Sequence, residues 1–110
     1  MEKLEFLDVN STDISDISFL EKNKYIKKLN LTSCKNIKGF TPISTLESLE
    51  ILNIEYTNIL DISFLGKNKN IKELELFLCQ KIKDFTPISK LARLEILNIG
   101  DINISDISFL

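Results

Sequence analysis

The two cysteines, Cys34 and Cys79, have the widest chemical reach in this sequence. A thiolate can attack a carbonyl, pair with a second thiol or ligate a metal ion. Those roles usually call on a partner residue, and the commonest one is missing: the chain contains no histidine. That removes His-based general acid–base catalysis, Ser–His–Asp triads and His-ligated zinc. Serines and carboxylates are plentiful, but every serine falls in a repeated slot and none has a basic partner of suitable pKa. The three glycines, Gly39, Gly66 and Gly100, are too dispersed to build a phosphate-cradling loop. Asp16, Asp61 and Asp106 each precede Ile-Ser-Phe-Leu. Such a column suggests calcium, yet it lacks the closely spaced ligand set of a calcium loop, and capping of a turn is the expected role. The residues thus predict no enzymatic activity, no metal and no cofactor.

Charge narrows the partners. Acids outnumber bases 16 to 14, for a net charge of -2. There is no basic excess to attract nucleic acid or an anionic membrane. No apolar run approaches the length of a bilayer span, so no membrane insertion is expected. The opening MEKLEFLDVN carries acids and alternates, unlike a secretory leader. The chain's 110 residues suit one domain, 1–110, with one modest core.

The elements that position these residues are read from self-similarity. Residues 4–48 align without a gap on residues 49–93, and 26 of the 45 columns are identical. A third copy starts at Leu94 and stops after 17 residues. Each copy divides into a 22-residue and a 23-residue unit, with starts at Leu4, Ile26, Leu49, Ile71 and Leu94; the last unit is incomplete. Aliphatic residues keep the same offsets throughout: Leu4, Leu7, Val9 and Ile14, then Ile26, Leu29, Leu31 and Ile37, and so on to Leu94, Leu97, Ile99 and Ile104. The L-x-L pair is a strand signature, since alternate side chains face one way. One strand per unit means parallel strands from successive coils, each coil burying its apolar edge against the next.

The pattern L-x-x-L-x-L-x-x-(N/C/T)-x-(I/L) resembles the leucine-rich repeat family over essentially the whole chain, in particular the short-repeat subclass of internalins and the phosphatase-1 regulator. The resemblance implies an α/β fold: a right-handed solenoid of about five coils. Strands would line its concave face, and short helical or 3-10 turns its convex face. It also implies protein binding on the concave face.

The buried slot that the family fills with asparagine holds Thr12, Cys34, Thr57, Cys79 and Ile102. A small hydroxyl or thiol can donate there to a turn carbonyl; Ile102 cannot. Cys34 and Cys79 share this slot two coils apart, roughly 10 Å at strand spacing, too far for a disulfide. The 23-residue units insert one residue after the cysteine, which should widen that turn. Ile17, Phe19 and Leu20, with Ile62, Phe64 and Leu65, are expected to fill the convex side. Phe40, Ile43 and Leu46, with Phe85, Ile88 and Leu91, do so in the other unit type. Thr41-Pro42 and Thr86-Pro87 read as helical-turn starts, with threonine as cap. Asn23 and Asn68 read as left-handed turn residues. Lys22, Lys24, Lys67 and Lys69 read as solvated edges.

The residues between the buried strand positions face the concave side. All eight such columns differ between the two full copies: Phe6/Ile51, Asp8/Asn53, Asn10/Glu55, Ser11/Tyr56, Lys28/Glu73, Asn30/Glu75, Thr32/Phe77 and Ser33/Leu78. Exposed positions tolerate change, and a shaped binding surface requires it. Ile96 and Asn98 of the third copy repeat Ile51 and Asn53, and Asp101 closes the row. The expected partner-binding residues are Phe6, Asp8, Ile51, Glu55, Tyr56, Glu73, Glu75, Phe77, Leu78, Ile96 and Asp101. Together they predict an acidic, partly apolar groove for a neutral or basic protein segment.

The function expected is a non-catalytic protein–protein interaction module. The alternative is a structural or spacer segment of a longer repeat-containing surface protein that self-associates through uncapped ends as a homo-oligomer. Localisation stays open: free cysteines and the lack of a leader lean cytoplasmic, while a cell-surface or secreted setting fits a chain that is a fragment.

Overall fold

The computed structural model describes residues 3–100. Each unit contributes one short strand: Phe6–Asp8 (β1), Lys28–Asn30 (β2), Ile51–Asn53 (β3), Glu73–Glu75 (β4) and Ile96–Asn98 (β5). They form one parallel sheet in sequence order. The register follows the repeat, so Leu7, Leu29, Leu52, Leu74 and Leu97 share one rung line. Strands this short have little stability of their own. Burial supplies it. Leu29, Leu52 and Leu74 are fully enclosed, as are Leu31 and Ile54. Each such side chain is worth about 1.5–3 kcal/mol on leaving water.

The sheet ladder runs past the assigned strands. Val9 N donates to Asn30 O (3.1 Å), Leu31 N to Asn53 O (2.8 Å), Ile54 N to Glu75 O (3.0 Å) and Leu76 N to Asn98 O (2.7 Å). Two residues on, Ser11, Ser33 and Tyr56 donate from their amides to Thr32, Glu55 and Phe77. The chain then turns at a left-handed residue: Ser11, Ser33, Tyr56 and Leu78 have φ of 57°, 61°, 54° and 62°, and Gly100 continues the column at 58°.

The convex side is made of 3-10 turns, Ser18–Lys22, Thr41–Thr45, Ser63–Lys67 and Thr86–Lys90. Aspartate opens the first and third of these as expected: Asp16 Oδ1 accepts from Ser18 N and Asp61 Oδ1 from Ser63 N, both at 2.8 Å. Asp106 lies outside the described residues. Pro42 and Pro87 stand in the first turn, but Thr41 and Thr86 make no side-chain cap, contrary to the reading of T-P. Asp84 takes that role in the fourth coil, accepting from Thr86 N (2.9 Å) and Thr86 Oγ1 (2.7 Å). Both hydrogen bonds hold the Asp84 carboxyl below its ordinary pKa, and those from Ser18 do the same for Asp16.

Asn23 and Asn68 also depart from expectation. Their φ values are -121° and -96°, not left-handed. Asn68 is fully buried and acts between coils, its Nδ2 donating to Ile43 O (3.0 Å) and Leu46 O (3.2 Å). The left-handed residues fall at the strand ends instead, where the ladder sets the backbone.

The core contains Ile17, Leu20, Phe40, Ile43, Leu46, Ile62, Phe64, Leu65, Phe85, Ile88 and Leu91 as expected; Phe19 alone of that set is left partly exposed. The Thr/Cys slot behaves as its chemistry suggests. Cys34 Sγ donates to Val9 O and Cys79 Sγ to Ile54 O, both at 3.0 Å, and Thr57 Oγ1 reaches Ile54 O as well. Both cysteines are free and buried. Ile102 lies outside the described residues. At the longer turn of coil 2 a groove of about 520 Å³ opens between Lys35–Thr41 and Asn58–Phe64.

Candidate functional site: the concave face

Strand alternation sends three rows of side chains onto the concave face, and the left-handed turn residues add a fourth. The first is Phe6, Lys28, Ile51, Glu73 and Ile96, and the second Asp8, Asn30, Asn53, Glu75 and Asn98. The third carries Asn10, Thr32, Glu55, Phe77 and Gly100, and the fourth is the left-handed column of Ser11, Ser33, Tyr56 and Leu78. Every expected partner-binding residue from Phe6 to Ile96 lies on these rows; Asp101 lies outside the described residues.

The second row has a structural duty. Asp8 Oδ1, Asn30 Oδ1 and Asn53 Oδ1 accept from the amides of Asn10 (3.0 Å), Thr32 (2.9 Å) and Glu55 (3.1 Å). Such side-chain bonds two residues ahead stiffen the strand exit. A polar chain then crosses coils: Thr32 Oγ1 donates to Asn53 Oδ1 (2.7 Å) and Asn53 Nδ2 donates to Glu75 Oε2 (2.9 Å). The alternation pattern gave no sign of this network.

Glu55, Glu73 and Glu75 cluster on coils 3 and 4. Burial pushes the Glu75 carboxyl above its ordinary pKa, and the neighbouring Glu55 carboxyl raises it further by hydrogen bonding and repulsion. Glu73, by hydrogen bonding, and the Lys28 charge oppose the rise. Two carboxylates this close favour an added positive charge. Lys28 is the cation of the concave strand rows.

The apolar residues sit in two places. Phe6, on the first strand, overhangs a hollow of about 270 Å³ with Leu7, Asp8, Lys28 and Asn30. Tyr56, Phe77 and Leu78 flank the acidic cluster, and the Tyr56 amide bonds the Phe77 carbonyl at 2.9 Å. Tyr56 is exposed, but its ring is not bare: the Lys35 ammonium stands 3.9 Å from its centroid. Phe77 lies against the Cα of Gly100, where an added Cβ would come within 2.3 Å of the ring. With φ at 58°, that position suits glycine twice over. Lys35 is missing from the sequence-based list because it follows the buried slot, outside the alternating strand.

Among the described residues no group of three or more Cys, Asp or Glu side chains is placed to hold a metal ion, and no helix is long and apolar enough to cross a membrane.

Solved structures give the architecture its name. The chain superposes on a leucine-rich repeat protein of Leptospira interrogans with a TM-score of 0.74 and 24% identity, covering 89% of this chain and 26% of that one. Internalin C2 of Listeria monocytogenes matches with a TM-score of 0.69 and 22% identity, over 96% of this chain and 57% of that one. Another internalin of the same organism (inlF) matches at 0.65 and 22%, over 92% and 36%. The protein has the leucine-rich repeat fold, with five parallel strands facing one side and 3-10 turns the other. It spans from about a quarter to just over half of the length of these structures. No family model matches the sequence. No curated protein matches it either.

Proposed function

We propose that this is a non-catalytic interaction module that holds an extended protein segment on its concave face, chiefly at coils 3 and 4. One observation carries the reading: Glu55, Glu73 and Glu75 converge beside Tyr56, Phe77 and Leu78, and burial, with the neighbouring Glu55 carboxyl, holds Glu75 above its ordinary pKa. A partner's lysine or arginine would relieve that repulsion while its aliphatic stem covers the apolar margin. The same charges disfavour phosphate backbones, so nucleic acid is not the partner.

The test is fluorescence anisotropy with labelled ten-residue peptides, one lysine-rich and one glutamate-rich, at two salt concentrations. The lysine-rich peptide is expected to bind, and to weaken as salt rises. Tyr56→Ala should weaken it at least about fivefold without shifting thermal unfolding, since the ring is exposed. Equal affinity for both peptides, or none for either, removes this groove as the binding surface.

A further inference from the structure

The longer turn of coil 2 opens a groove whose charge is opposite to that of the acidic cluster on the concave face. It runs between Lys35–Thr41 and Asn58–Phe64 and encloses about 520 Å³. Lys35 and Lys38 stand on one wall, and a single carboxylate, Asp61, on the other. Asp61 is already engaged, since its Oδ1 accepts from Ser63 N at 2.8 Å. Neither lysine forms an ion pair among the described residues. Lys35 lies over the ring of Tyr56, 3.9 Å from its centroid, a contact that an exposed ammonium exchanges readily for a carboxylate.

Two departures from the repeat mark this groove. Aspartate stands two residues before the 3-10 turn in coils 1, 3 and 4, as Asp16, Asp61 and Asp84, whereas coil 2 has Gly39. The exchange removes a side chain and a negative charge from the wall that carries both lysines. A Cβ added at Gly39 would meet nothing within 4 Å, and its backbone is not left-handed, so the fold itself does not require glycine there. The second departure is Leu60. Serine holds that position in the other copies, as Ser15 and Ser105, and Leu60 is 65% exposed along the groove. A lone exposed leucine is ordinary; one that lines a cationic groove where the repeat places serine is a contact surface.

We propose that this lateral groove is a second binding site, one that takes an acidic protein segment, with an aspartate or glutamate on Lys35 and Lys38 and a neighbouring apolar side chain on Leu60. Charge complementarity selects the partner: two ammonium groups face one carboxylate that a main-chain amide already holds. Leu60 selects a protein over a bare polyanion, because its exposed surface gains only from an apolar contact. The site lies between coils 2 and 3, off the concave rows. It takes the opposite charge from the segment proposed for the concave face and does not depend on that reading.

The experiment is fluorescence anisotropy on the full chain with a labelled ten-residue peptide of aspartates, serines and one phenylalanine. Binding is expected to saturate below about 1 mM and to weaken as salt rises. Gly39→Asp restores the residue of the other coils and should weaken the peptide at least about tenfold, without lowering the melting temperature. The same variant should leave the lysine-rich peptide within about twofold. Leu60→Ser, again a residue the repeat already uses, should weaken the acidic peptide about threefold, as should serine in place of its phenylalanine. Tyr56→Ala releases Lys35 and should leave the acidic peptide unchanged or tighter. No saturation overturns the proposal, as does full affinity in Gly39→Asp or in Leu60→Ser. Loss of the acidic peptide on Tyr56→Ala places it on the concave rim and overturns the proposal as well. Equal affinity for the peptide without phenylalanine, or for a single DNA strand of the same length, makes the groove a general anion surface and overturns it too.

Discussion

The two 45-residue copies are the same frame carrying two different faces. Their strands pair in one register and their core residues coincide, from Leu29 and Leu74 in the sheet to Ile43 and Ile88 under the turns. No concave column carries the same residue in both. In the first copy Asp8 and Lys28 cancel, and Asn10, Asn30, Thr32 and Ser33 are polar. In the second, Glu55, Glu73 and Glu75 leave three negative charges beside Tyr56, Phe77 and Leu78. Outside the second row, whose Asp8, Asn30 and Asn53 brace the strand exits, the frame leaves the chemistry of its face free, because its core side chains point the other way.

The comparison breaks first at the core. Leu29→Ala and Leu74→Ala should each cost about 2–5 kcal/mol in urea unfolding, and agree within about 1 kcal/mol. A large disparity would mean that the frames are not equivalent. At the face, Glu55→Gln with Glu75→Gln should weaken the lysine-rich peptide about tenfold, or about 1.4 kcal/mol, while Asp8→Asn in the first copy leaves anisotropy unchanged. In the slot between them the copies should separate again. Thr57→Val should cost about 1 kcal/mol because a buried bond to Ile54 O is lost, and Thr12→Val, at an exposed position, only a few tenths in the same unfolding assay.

Smaller effects sharpen the picture. Lys28→Glu carries the acidic cluster onto coil 2 and should tighten the peptide about threefold, or about 0.6 kcal/mol. The weakest effect is on pH. The carboxyl of Glu75 is raised in the folded chain, so its contribution to stability is full below the ordinary value of 4.5 and is lost as pH rises through the folded value. Glu75→Gln should therefore melt slightly higher than the parent at pH 7, with that advantage gone at pH 4. Asp16 and Asp84, whose values are lowered, run the other way: their contribution is present above 3.8 and is lost as pH falls through the folded value.

The stacking of the coils was legible because it rests on spacing. Leu7, Leu29, Leu52, Leu74 and Leu97 recur at matched offsets, and parallel pairing follows from the period. The aspartate caps were legible for the same reason, as local bonds two residues long. Residues whose conformation is set by a neighbouring coil were not. Asn68 carries a turn-former's identity but works as a donor across coils. Tyr56 and Leu78 adopt the left-handed backbone that composition assigns to asparagine or glycine, because the ladder to the next coil requires a turn there. On the concave face the rows could be read from alternation. The polar chain from Thr32 to Glu75 and the lysine over Tyr56 depend on side-chain reach, which spacing does not encode.

The paired thiols make the molecule its own stopwatch. Cys34 and Cys79 occupy one equivalent place in each copy, enclosed and engaged with a carbonyl of the coil before. Burial holds the Cys79 thiol above its ordinary pKa, which slows any attack by an aqueous reagent on the closed form. Labelling at each sulfur therefore waits for its own stretch of the spring to part, so two rates from one sample give the order in which the two halves let go.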